Sequence, residues 1–131
     1  MAEFRKVHQF NAFSCFSPVQ PALAEYLKEP QHYLQLSVQL NAKQKIFEEG
    51  MLQSRFRAID SFGSYFQLFD YSDISDEPAL EFAKRLVKEQ GVTSIPVSAF
   101  YNETNDVKML RFCFAKKEET LYKALERLVK A

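Results

Sequence analysis

The run Lys108–Phe114, KMLRFCF, constrains this 131-residue chain more than any other. Read with a period of two, it puts Leu110, Phe112 and Phe114 on one face of a strand and Met109, Arg111 and Cys113 on the other. The apolar face needs a covering layer, and the next segment provides one. From about Lys117 to Lys130, Leu121, Leu125, Leu128 and Val129 fall on one helical stripe. Glu118 and Glu119 in the first turn and Lys130 in the last suit the helix dipole. The other strand face poses a harder question. The Arg111 guanidinium cannot lose its charge and is costly to bury without an acceptor. Either a carboxylate of the chain answers it, Asp60 or Asp70, or a ligand does, and periodicity leaves both open.

The remaining elements follow from local signals. Ser17 and Gln20 form an S-x-x-Q capping box with Pro18 in the first turn, which predicts a helix carrying Ala22, Leu23, Tyr26 and Leu27 up to Glu29-Pro30. A second helix is expected from about Gln31 to Ser54, with Leu36, Leu40, Phe47 and Leu52 near one face and Gly50 weakening its end. RFRAID and YFQLFDY read as two short strands about the turn Ser61–Ser64. A helix follows, capped by Ser75, buried through Phe82, Ala83 and Leu86, and ended by Gly91. VTSIPVSAF is a strand that Pro96 confines to a sheet edge or a bulge, and NETND is the loop before the Arg111 strand. The predicted order α, α, β, β, α, β, β, α gives an α+β fold, with helices packed on one side of a small, mainly antiparallel sheet.

Composition excludes several functions. Lysine plus arginine balances aspartate plus glutamate at 17 each, so nothing draws the chain to nucleic acid or an anionic membrane. With only three glycines and neither G-x-G-x-x-G nor a P-loop pattern, there is no phosphate-cradling loop. His8 and His32 stand apart from any ligand spacing, so no metal site is expected. No G-x-S-x-G elbow occurs, and the carboxylates fall into i,i+4 patterns with lysines that mark solvated helix faces. Cys15 and Cys113 are read as packing thiols of a reducing compartment, and the expected location is the cytoplasm. Phenylalanine, at 13 residues, is in excess, and Phe10, Phe13 and Phe16 come at spacing three before the first cap. They either pack back on this domain or dock on something outside it.

Four stretches together, RKVHQFNAFSCFSPVQPALAEYL, FGSYFQLFDYS, EQGVTSIPVSAFY and RFCFAKKEETL, resemble the C-terminal part of the fold type I, pyridoxal-phosphate-dependent aminotransferases of classes I and II. The nearest branch is the methionine, glutamine and kynurenine aminotransferases. The resemblance implies that Arg111, in its R-[FIL]-x-[FY]-[AC] context, clamps a substrate α-carboxylate with two prongs, as its fork geometry suits. It implies that Tyr65 is near the substrate, and that Phe13 and Ser14 line the active site of the neighbouring subunit in a homodimer. It also implies pyridoxal phosphate as cofactor of the full-length enzyme, an amino-acid donor such as methionine, glutamine or an aromatic residue, and a 2-oxo acid acceptor.

The departures are as informative. No serine is followed by lysine three residues on, so the S-x-x-K motif of the Schiff-base lysine has no counterpart. The P-G-S-x-F loop of the family reads Pro96-Val97-Ser98-Ala99-Phe100, a difference that bears on substrate preference. Residues 1–16 are therefore expected to be a remnant of the connection from a large cofactor-binding domain, and 17–131 the small domain. The chain alone is expected to be inactive and to bind no cofactor. The alternative is a stand-alone α+β regulatory or binding module that holds a small carboxylate through Arg111.

Overall fold

The Arg111 strand is an inner strand of the sheet, paired on both edges. A computed structural model describes residues 1–14, 16–102 and 106–131, so Cys15 and most of the NETND loop lie outside it. Four strands, β1 (Arg57–Ala58), β2 (Phe66–Asp70), β3 (Ile95–Pro96) and β4 (Met109–Cys113), form a sheet in the order β1-β2-β4-β3 with every pair antiparallel. In this register Gln67 faces Phe112 and Phe69 faces Leu110, whereas Leu68 and Ile95 flank Arg111. Pro96 lies on the edge strand, where its missing N–H costs the sheet no internal bond.

The face of Leu110, Phe112 and Phe114 is covered by three helices, α4 (Leu36–Met51), α5 (Ala79–Gln90) and α6 (Glu118–Leu128). Phe47 and Met51, then Phe82, Ala83 and Leu86, then Leu121, Leu125 and Leu128 enter one core with Phe69. The helices thus stand on one side of a small antiparallel sheet, the expected α+β class. Phe47, Phe56, Phe69 and Phe112 meet one another with ring centroids 5.7–6.5 Å apart, mostly edge to face. Each such pair adds about 0.5–1.5 kcal/mol beyond its burial. Gly50 lets α4 and α6 touch, since a Cβ there would collide with Leu125 Cδ1.

The chain divides into two compact units, Met1–Ser37 and Val38–Ala131. The first contains α1 (Ala2–Ala12), α2 (Val19–Tyr26) and α3 (Gln31–Leu34), none of which buries a residue. Several sequence expectations need correction here. Residues 2–12 form a helix that apolar spacing did not announce. Steps of three drift by about 60° around a helix, but over Phe4, Val7 and Phe10 they still span a single face. The Ser17–Gln20 box is not made. Only the Gln20 amide donates to the Ser17 carbonyl, and α2 begins with no side-chain cap.

The helix expected over 31–54 is broken at Gln35 and ends at Met51. Tyr26 Oη donates to the His32 carbonyl at 2.8 Å, engaging the acceptor that the Leu36 amide would use in a continuous helix.

At α5 the cap comes from a distance. Ser75 Oγ bonds to Glu77 instead of capping the helix, which starts three residues after Asp76, behind Pro78. Its first amide, Ala79 N–H, donates to Asp106 Oδ2, and Asp106 Oδ1 accepts from the Lys108 amide at 3.0 Å. The carboxylate favours the positive end of the helix as a local cap would. Gly91 closes α5 as expected, at φ 63°, and a Cβ there would come within 2.8 Å of Arg127 Nη1. Replacing Asp106 with Ala is expected to lower stability by about 0.5–2 kcal/mol, with Asp106→Asn retaining most of it. Urea midpoints of the two variants against the parent would measure both effects.

Candidate functional site

The sheet face away from the helices carries Arg57, Phe66, Leu68, Asp70, Ile95, Met109, Arg111 and Cys113. Pleating forces this grouping, since each residue alternates with one committed to the core. Cys113 is therefore exposed, contrary to its reading as a packing thiol, because it shares the parity of Arg111. Arg111 itself is half-buried at the middle of the face.

Two acceptors were open to Arg111 within the chain, and neither takes it. Asp70 lies 3.1 Å from Arg57 Nη2 and accepts from the Ser72 amide at 2.6 Å, while Asp60 is exposed. Arg57 also reaches Asp73 at 3.3 Å and donates to Ser72 Oγ. Among the described residues, the Arg111 guanidinium has no carboxylate partner and no hydrogen bond. What surrounds it is aromatic. Its Cζ lies 4.6 Å from the centroid of the Phe66 ring and 5.0 Å from that of Phe100. Phe100 ends the 3-10 turn Val97–Phe100 that follows β3.

Tyr65 stands one ring further out, edge to face with Phe66 at 5.5 Å, and its carbonyl accepts from the Phe114 amide. Phe13 and Ser14 belong to the other unit. Phe13 has φ 50° and ψ −68°, and Phe10, Phe13 and Phe16 are exposed, so their own unit does not bury them. Sequence reasoning missed Phe66 as a neighbour of Arg111. The signal was in YFQLFDY, where Phe66 and Leu68 alternate with Gln67 and Phe69, so that both parities are largely apolar. A strand of that kind has both faces occupied.

The face offers a fixed cation in apolar surroundings, which suits a small carboxylate. It does not fit pyridoxal phosphate: no lysine occupies any of its strand positions, and the phosphate would find no glycine loop or helix N-terminus there. No group of three or more His, Cys, Asp or Glu able to hold a metal occurs among the described residues. His8 stacks near Phe4, and His32 Nε2 lies 3.1 Å from Glu29. No described helix is long and apolar enough to cross a membrane.

Partial burial opposes the charge on Asp70, but the Ser72 hydroxyl and amide and the Arg57 guanidinium outweigh it and hold its carboxyl below the ordinary value. A carboxyl lowered on folding contributes stability that is complete above about pH 4 and is lost as pH falls through the folded value. Asp70→Asn is thus expected to give a shallower loss of stability in acid, read from urea midpoints taken between about pH 6 and pH 3.

Comparison with known proteins shows the family of the chain. The family model for aminotransferase class I and II matches residues 2–128. The methionine aminotransferase of Escherichia coli is 44% identical over 128 residues, covering 97% of this chain and 33% of that protein. Kynurenine–oxoglutarate transaminase 1 of Mus musculus is 33% identical over 150 residues, covering 98% and 35%. The crystal structure of YbdL from Escherichia coli, described as having a methionine aminotransferase function, superposes with a TM-score of 0.90 over 99% of this chain and 35% of that one. The N-succinyldiaminopimelate aminotransferase of Mycobacterium tuberculosis, 30% identical, gives 0.85 over 98% and 34%. The chain spans about a third of the length of the relatives it matches.

Proposed function

This chain belongs to the aminotransferase class I and II family, and we propose that it supplies the small, carboxylate-binding domain of a pyridoxal-phosphate-dependent aminotransferase. The observation that carries this reading is Arg111, a half-buried guanidinium on the uncovered sheet face with no carboxylate partner among the described residues. Its fork donates to the two oxygens of an amino-acid carboxylate, and the apolar neighbours Leu68 and Ile95 strengthen that contact by lowering the local dielectric. Arg111 thus orients the substrate, while Tyr65 borders it. In the assembled homodimer Phe13 and Ser14 line the neighbouring subunit's site, and residues 1–16 lead from the large domain into the small domain 17–131.

The donor is methionine, glutamine or an aromatic amino acid, and the acceptor is a 2-oxo acid; methionine, kynurenine and oxoglutarate stand in the names of the relatives. The enzyme works in the cytoplasm. The amine that would hold the cofactor is outside these 131 residues, since S-x-x-K does not occur and the open face has no lysine. The chain alone is therefore inactive.

In the complete enzyme, Arg111→Lys is expected to raise KM for the amino acid by about 10- to 100-fold, because an ammonium keeps one prong of a two-pronged contact. Steady-state kinetics with methionine would check this, and an unchanged KM would remove Arg111 from the site. For the isolated chain, mixing with pyridoxal phosphate, methionine and a 2-oxo acid is expected to give no amino transfer. Turnover together with a borohydride-reducible adduct on one lysine would overturn the assignment.

A further inference from the structure

An arginine that binds substrate must be held before substrate arrives, or its long side chain loses rotamer entropy at each binding event. Hydrogen bonds usually do this, and among the described residues the Arg111 guanidinium makes none. Two rings take their place. Phe66 comes from β2, where its Cα partner is Cys113, so it is the diagonal neighbour of Arg111 on the same face. Phe100 comes from the 3-10 turn after β3. One ring belongs to the strand on one side of β4 and the other to the turn that follows the strand on its other side, with centroids 4.6 and 5.0 Å from Arg111 Cζ.

Burial does not explain Phe100. It is 61% exposed, whereas Val97 in the same turn is buried, Pro96 is paired with Leu110, and the Tyr101 amide closes the turn on the Ser98 carbonyl. The turn is anchored from below and presents Phe100 to Arg111.

We propose that Phe66 and Phe100 are positioning residues that hold the Arg111 guanidinium between their rings and leave its N–H edge as the route of approach. A planar carboxylate entering edge-on meets two parallel donors, whereas a tetrahedral phosphonate must put an oxygen out of that plane, where the rings stand. The pair therefore raises affinity for the amino-acid carboxylate and selects it over tetrahedral oxyanions. This rests on the assignment of Arg111 to the substrate carboxylate and adds the groups that orient it and the ligand shape it accepts.

The test uses the complete enzyme and its Phe66→Leu, Phe100→Leu, Phe100→Tyr and Arg111→Lys variants. Two quantities are measured: KM and kcat for the amino acid, and the ratio of inhibition constants for a substrate-like carboxylic acid and the phosphonate of the same chain. Each leucine variant is expected to raise KM by about 2- to 30-fold with a smaller change in kcat, and to narrow the preference for carboxylate. Phe100→Tyr, which keeps the ring, is expected to restore both to near the parent values. A general loss of structure would lower kcat and leave the carboxylate-to-phosphonate ratio unmoved, which overturns the proposal. If Arg111→Lys raises KM while both leucine variants leave KM and the ratio unchanged, the positioning role fails and the carboxylate assignment stands. If Arg111→Lys is itself silent, both fail.

Discussion

Pairing of β4 on both of its edges is the constraint on which the rest of the unit Val38–Ala131 depends. Hydrogen bonds to β2 on one side and β3 on the other leave the strand no freedom to slide. A slip of one residue would bury the guanidinium against α4, α5 and α6 and expose Leu110 and Phe112 to water. Each wrongly exposed side chain costs about 1.5–3 kcal/mol, and the buried charge costs more. The register that builds the core is thus the register that aims Arg111 outward. Stability and function share one set of backbone hydrogen bonds.

The distribution of phenylalanine shows the same division of labour. Phe47, Phe56, Phe69, Phe82, Phe112 and Phe114 fill the core, while Phe66 and Phe100 stand beside the cation on the other face. Phe4, Phe10, Phe13 and Phe16 are exposed in the unit Met1–Ser37. An aromatic surplus in a chain of this length therefore does not signal a larger core. It marks a core of ordinary size together with rings that lie outside it, Phe62 among them.

Much of this was legible because it rests on short-range periodicity. The period-2 pattern around Arg111, the helical stripe from Leu121 to Leu128, the glycine ending at Gly91 and the edge position forced by Pro96 are each contained in a few consecutive residues. Most of the features that sequence reasoning missed depend on partners outside the element itself. Ser75 lost the start of α5 to Asp106, 27 residues beyond Ala79. The continuous helix over 31–54 was interrupted at a corner held by Tyr26. Phe66 and Arg111 are neighbours only once two strands are in register. The site divides in the same way: Arg111 stood out as an anomaly within its own strand, whereas the rings beside it are products of the tertiary fold.

The carboxylate of Asp106 has one more consequence. It joins the first turn of α5 to the amide that leads into β4, so the helix start is complete only when the later strand has docked. Helix ends ordinarily fray with almost no free-energy cost. Here opening the first turn of α5 also gives up a bond to the loop that leads into the central strand. One carboxylate thus serves both elements, one oxygen on the helix start and the other on the strand entry.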